Sequence, residues 1–299
     1  MKSCIRRRDM KKKSRIGKIS PGVKTFRAVF FFIFLIYGIT LMYPLLWALI
    51  NAGKTGVDYF ENSFNIPKYY LFENFINAFK SFRYNDTSFL GMLWNTTWMA
   101  ALSTFVNIAC STITAYTVAR FRFPFRTAVF SIAILIQIVP IVGSGASAYK
   151  FYHDMGMLNN PGLYWLVWAG GFDFAFVVLY GYFKSIGKEY EEAAIMDGCG
   201  NWKLFIKIMV PMARPSIVSL MILNLITMWG DYNTSLLYMK DYPSVALGIY
   251  MFQEESRFIA NSMPTLFAAI IISIIPVLLI FSTNQKMIMT NVTAGGLKG

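Results

Sequence analysis

Charge is scarce in this chain. Asp, Glu, Lys and Arg make up 14% of its 299 residues, where a soluble domain usually carries about a quarter. Acid is scarcer still, with 15 acidic residues against 28 basic ones. So little charge cannot clothe a water-soluble globule of this length, and a 56% hydrophobic composition points to a chain built for lipid. Histidine occurs once, at His153 beside Asp154, and cysteine three times, at Cys4, Cys110 and Cys199. Such spacing excludes a disulfide framework and a His/Cys metal site, so no metal-binding residues are expected. No Ser-His-Asp or Cys-His set and no paired intramembrane carboxylates are evident, which excludes covalent catalysis.

The net charge of +13 raises the question of nucleic acid, and its location answers it. Eleven of the basic residues precede residue 28, opposed only by Asp9, and a long apolar run follows. A basic tail before an apolar span is a lipid-side anchor, and no basic fold or aromatic platform follows to bind nucleic acid. The run from Ala28 to Ile50 is too long for a signal-peptide core and lacks a small-residue cleavage site, so it reads as an uncleaved span. "GKTG" at 53–56 imitates part of a phosphate-binding loop, but the required first glycine is replaced by Ala48.

Six stretches approach the roughly 20 apolar residues of a span: 28–50, 93–118, 127–148, 164–183, 217–237 and 265–282. Asp231 interrupts the fifth. With the N-terminus inside, inner segments hold 21 Lys and Arg and outer segments hold 7, so both termini are expected in the cytoplasm. The expected organisation is all-α. A basic cytoplasmic tail at 1–27 is followed by a transmembrane domain at 28–285 and a cytoplasmic tail at 286–299. The outer stretch 51–85, with "IPKYYLFENFINAFKSF", reads either as a short amphipathic helix, lying at the membrane face or on a partner, or as an ordinary ordered loop.

One polar island stands out between the fourth and fifth spans: "EYEEAAIMDGCGNWKLFIKIMVPMARP", 189–215. Residues 189–197 are helix formers without Gly or Pro, and Gly198 follows where a left-handed residue would close the helix. Gly200 and Asn201 are both acceptable N-caps for a second helix. There Trp202, Phe205, Ile206 and Met209 form an i, i+3, i+4, i+7 stripe expected to face the bundle, and Pro211 and Pro215 should bend or restart the chain. The acids Glu189, Glu191 and Glu192, beside Ala193 and Ala194, are expected to face the cytosol. By composition alone, a solvated amphipathic connector explains the island equally well.

The pattern as a whole resembles the "EAA" loop of the permease subunits of binding-protein-dependent ABC importers. That signature is Glu-Ala-Ala, three residues, Gly, nine residues, Ile, one residue, Leu, Pro. Here Glu192, Ala193, Ala194, Gly198, Ile208 and Pro211 fall in place, Val210 replaces Leu, and Asp197, Phe205 and Pro215 also match. Gly200 stands where Ser is frequent, and Cys199 where Ala is common. The resemblance extends over nearly the whole chain. "LWNTTWMAALSTFVNIACSTITAYTVARFRFPFR" is similar to the family's second-span region, and "WGDYN" to its fifth-span motif with Gly230 in place of Asn. "NVTAGGLKG" is similar to the tail of carbohydrate-type, maltose-permease-like subunits.

The resemblance implies a cytoplasmic helix–turn–helix that couples to an ATPase through Glu189, Tyr190, Glu191, Glu192, Ala193, Ala194, Met196, Asp197 and Gly198. Trp202, Phe205, Ile208, Pro211 and Pro215 would support it. It also implies a second homologous permease chain, a cytoplasmic ABC ATPase dimer that binds ATP and Mg, and an extracytoplasmic sugar-binding protein. No cofactor is expected on this chain, which would not itself be an ATPase. It would lie in the bacterial inner membrane. Candidates for the substrate path are Asp173, Asn224, Trp229, Asp231 and Tyr232, because intramembrane polar groups face protein or water and sugars take hydrogen bonds plus an aromatic face. The same residues would serve equally to hold helices together. The alternative function is a self-contained secondary transporter or channel, although two isolated acids make a poor ion site.

Overall fold

A computed structural model describes residues 21–139, 143–255 and 262–294. Most of the expected basic tail, Cys4 and the end of the expected C-terminal tail lie outside the described residues. The chain divides into two compact units, one ending at Leu49 and the other beginning at Ile50. Helix α1 (Pro21–Ala52) includes Lys24 and Arg27, so the segment expected to end the tail is helical. Its apolar side chains, among them Phe31, Phe32 and Phe34, are exposed, as a lipid-facing helix requires.

The second unit begins with the expected outer stretch. Its short helices are α2 (Gly56–Glu61) and α3 (Glu73–Ser81), joined to the next long helix by a two-stranded hairpin, β1 (Arg83–Tyr84) and β2 (Thr87–Ser88). Asn85 and Asp86 both take positive φ at its tip, the geometry of the tight turns that match strand twist. The sequence reading left this stretch as a short amphipathic helix, at the membrane face or on a partner, or as an ordered loop. It is helical over α3, which rests on this chain through Ala78, fully buried with Phe82, Phe89 and Met92 next to Val245, Leu266 and Ala269, while Ile76 and Phe79 stay exposed. The "GKTG" segment is structural. Gly53 has no room for a Cβ against the Tyr70 ring, and buried Lys54 donates to the Asn62 carbonyl at 3.0 Å.

The long helices are α4 (Phe89–Arg120), a continuous helical run over Asn201–Trp229, and α13 (Ser262–Ala294). With α1, these give four helices long and apolar enough to cross a membrane among the described residues. The last one carries the expected C-terminal tail as helix as far as Ala294. Between α4 and that continuous run come α5 (Arg126–Ile138), α6 (Ser144–Asp154), a 3₁₀ segment at Tyr164–Trp168 and α7 (Phe174–Ser185). Short helices α11 (Asn233–Leu237) and α12 (Val245–Glu255) precede α13.

The third and fourth expected spans are therefore not single helices. At about 1.5 Å per residue, α5 and α7 reach only about 20 Å and 18 Å, against roughly 30 Å of hydrocarbon. α5 ends at Ile138, and the next residue, Val139, takes an extended conformation because it precedes Pro140. The fourth stretch breaks between the 3₁₀ segment and α7, where Gly171 has φ +76° and sits against α4. A Cβ there would lie 3.0 Å from Thr114 Cγ2, and Thr114 Oγ1 donates to the Gly171 carbonyl. The fifth stretch ends at Trp229, and Asp231 falls in the loop before α11.

The main core packs α4 against α7 and the Asn201–Trp229 run. Ile108, Ala115 and Tyr116 meet Phe176, Leu179 and Phe183, while Leu204, Phe205, Met209 and Ala213 close the end of the cluster. Tyr116 is its hub, with ring centroids 5.5 Å from Phe183 and 4.8 Å from Phe205.

Candidate functional site

The island at 189–215 folds as an elbow. Helix α8 (Glu189–Met196) opens with three acids in its first turn, where the positive end of the helix dipole favours them. It closes with paired hydrogen bonds. Cys199 N–H donates to the Ala194 carbonyl at 2.9 Å, and Gly198 N–H to that of Ile195 at 2.9 Å. That 6→1 and 5→2 pair is the Schellman motif, which requires a left-handed residue, and Gly198 supplies it with φ +74°. Helix α9 (Asn201–Leu204) then starts on Gly200, whose carbonyl accepts from Leu204 N–H.

After α9 comes a π turn, Phe205–Met209, and then α10 (Val210–Trp229). The chain does not restart at the prolines. Pro211 lies in the first turn of α10, directly after the π turn, and Pro215 sits within the helix. A π turn widens the local ring of hydrogen bonds, so the proline's missing N–H and bulky ring are accommodated without breaking the run.

The buried face of this helix differs from the expected stripe. Phe205 and Met209 are buried as expected, but Trp202 is 68% exposed and Ile206 58% exposed. Buried Leu204 and half-buried Ile208 take their place. Apolar residues cover more than one face here, and the aromatic hub around Tyr116 selects the flank that contains Leu204.

Tyr190, Glu192, Ala193, Met196, Asp197 and Gly198 are exposed on α8 and its turn, as is Glu189, while Ala194 is buried. Ile195 is also exposed, next to Met196, and belongs to the same surface although the sequence reading passed over it. Glu191 departs from expectation. It turns inward to Arg120, the last residue of α4, with Oε1 3.1 Å from Nε and both side chains largely buried. Arg120 also donates to the Ile186 carbonyl at 2.7 Å. Sequence reasoning quoted the Ala-Arg-Phe step that contains Arg120 but gave it no role.

Each of the five substrate-path candidates has a partner within the chain. Asp173 caps α7: its Oδ1 accepts from Phe176 N–H at 3.0 Å and from the Ser111 hydroxyl at 2.8 Å. Asn224 accepts from Thr104 Oγ1 at 3.0 Å and donates to Asn107 Oδ1 at 3.2 Å, tying α10 to α4. The Trp229 indole donates to the Ser273 carbonyl on α13. Asp231 accepts from Asn233 N–H, and Tyr232 stacks on Tyr250 at 4.9 Å.

A capping role for Asp173 has a measurable signature. Asp173→Ala should lower stability by about 1 kcal/mol, while Asp173→Asn, which keeps the acceptor, should leave melting in detergent nearly unchanged. A residue that lines the path would instead shift the half-saturating substrate concentration in Asp173→Asn without altering the melt.

His153 Nδ1 lies 3.3 Å from Asp154 Oδ1, and Lys150 Nζ 3.2 Å from Oδ2. The hydrogen bond from His153, then that from Lys150, hold the Asp154 carboxyl below its ordinary value.

The model of the binding-protein-dependent transport system inner membrane component family matches residues 17–292. The chain belongs to that family. Similar inner membrane components include the diacetylchitobiose uptake system permease protein NgcG of Streptomyces coelicolor, 26% identical over 91% of this chain and 89% of that protein. The maltose/maltodextrin transport system permease protein MalG of Salmonella typhimurium is 28% identical over 69% of this chain and 72% of that protein. A chain in the crystal structure of a bacterial ABC transporter involved in the import of the acidic polysaccharide alginate has the same fold. Its TM-score is 0.75 at 21% identity, covering 90% of this inner membrane component and 98% of that chain.

Proposed function

We propose that this chain is the sugar-conducting permease subunit of an ABC importer and that an oligosaccharide is its cargo. The family match over residues 17–292 carries the reading, and relatives named for diacetylchitobiose, maltodextrin and galactooligosaccharide uptake point to the substrate class. In this reading the chain crosses the membrane six times, the short α5 and α7 completing the set, with both termini in the cytoplasm, as the 21-to-7 distribution of basic residues supports. The elbow then faces the cytoplasm. A second, similar permease completes the pathway, an ATPase dimer carrying ATP and Mg docks on the exposed face of α8, and an extracytoplasmic binding protein delivers the sugar.

The exposed face of α8 supports a coupling mechanism in this reading. The exposed surface of α8 offers acids for register and Tyr190, Ile195 and Met196 for contact. Closure of an ATPase dimer moves two such elbows together, and each carries its bundle towards the outward-open form. Hydrolysis releases them. ATP chemistry stays on the partner, and this chain converts a displacement at α8 into alternating access for the sugar.

Reconstitution provides the test. Proteoliposomes containing this chain alone should show no uptake of labelled oligosaccharide. Adding the second permease, the ATPase and the binding protein should give ATP-dependent accumulation. Flux through the lone chain would instead establish a self-contained transporter or channel.

A further inference from the structure

The buried Arg120–Glu191 pair lies outside the docking surface and has no role in the mechanism described so far. We infer that Arg120 is a positioning residue: its paired contacts with Glu191 and the Ile186 carbonyl form a strut that makes α8 move as one body with α4 and α7. The inference rests on reading α8 as the face that receives the ATPase.

Three elements meet at one guanidinium. Arg120 ends α4, Ile186 caps the end of α7, and Glu191 sits in the first turn of α8. Each charge is at a favourable helix end: a cation at the C-termini of α4 and α7, an anion at the N-terminus of α8. The geometry is tight, at 3.1 Å to the carboxylate and 2.7 Å to the carbonyl, and the side chains are 8% and 19% exposed. The Lys150–Asp154 pair, by contrast, is a surface i, i+4 contact within one helix.

A stiff joint is needed here because α8 is only eight residues long and contributes one buried side chain, Ala194, to the core. Apolar contact is non-directional and lets surfaces slide. The hydrogen bond from the Arg120 guanidinium to the Ile186 carbonyl fixes angle as well as distance, and the largely buried ion pair with Glu191 adds an electrostatic hold on α8. They resist the shear that a push on the outer face of α8 produces.

α4 also carries that push onward. Ser111, which holds Asp173 of α7, is about 14 Å back along α4 from Arg120, and Thr104, which holds Asn224 of α10, about 24 Å. The same helix therefore grips the elbow at one end and the second half of α10 further along.

Charge exchange tests the strut. Arg120→Glu, Glu191→Arg and the double exchange are assembled with the partner subunits, and sugar uptake and ATP hydrolysis are measured together in proteoliposomes. Each single exchange should keep ATPase bound and hydrolysing, while sugar moved per ATP falls at least tenfold. The double exchange should restore most of that ratio. Glu191→Gln, isosteric and less disruptive to folding, should assemble at wild-type level and still lower the ratio severalfold. An unchanged ratio in Glu191→Gln, or a double exchange no better than the singles, overturns the strut. Absence of ATP-driven uptake in the wild-type assembly would instead overturn the functional reading on which it rests.

Discussion

Gly198→Val is expected to reduce sugar uptake by at least tenfold while the chain still inserts and accumulates. The cost is conformational. Nothing lies within 4 Å of the position a Cβ would take, so no clash opposes the side chain. The obstacle is the φ of +74° demanded by the two hydrogen bonds that end α8. The left-handed region costs an ordinary L-residue about 1–2 kcal/mol, and a β-branched residue sits at the unfavourable end of that range. Valine therefore unwinds the last turn of α8 and misplaces Met196 and Glu192 relative to the ATPase. Asparagine tolerates the same φ, so Gly198→Asn should retain most uptake. Measuring uptake and membrane level of both variants in one strain separates a backbone requirement from a demand for small size. Equal loss in both variants would contradict the turn argument.

Glu192→Lys should abolish stable association with the ATPase, lowering co-purified ATPase at least tenfold and uptake with it. Glu192 is exposed on α8, its backbone N–H donates to the Lys188 carbonyl, and among the described residues its side chain makes no hydrogen bond or ion pair. It is free to meet a cation on a partner. Disrupting one member of a buried interfacial charge pair typically costs about 2–5 kcal/mol, and reversal adds repulsion. Glu189→Lys is the internal control: it changes the same net charge at the start of the helix and should weaken docking less. Undiminished co-purification of Glu192→Lys would remove Glu192 from the contact.

Long apolar runs announced α1, α4 and α13, because a span needs little more than length and greasiness to be seen. The elbow was equally legible: Gly198 after an uninterrupted helix former run is a local signal, and the turn it makes is local too. What failed was the facing of the second helix. Trp202 and Ile206 fit an amphipathic stripe, but Leu204 and Ile208 are just as apolar, and the choice belonged to Tyr116 and Phe183 on other helices. The break in the fourth stretch depends on a contact no local pattern shows, since Gly171 is held in its turn by Thr114 of α4. The polar helix ties Ser111–Asp173 and Thr104–Asn224, like the Arg120–Glu191 pair, join residues far apart in the chain. No spacing rule connects them, so the acids at 189–192 read as one cytosolic face when Glu191 is turned inward.

The hydrogen bonds that shut α8 all arise between residues 193 and 199. Under the proposed docking role, the platform is thus prefabricated by its own short stretch of polypeptide. A subunit freshly inserted in the bilayer already holds the platform in its receptive form, so little ordering entropy is lost on capture. In the proposed assembly, this chain can accordingly be inserted before its ATPase arrives, with its docking turn already formed.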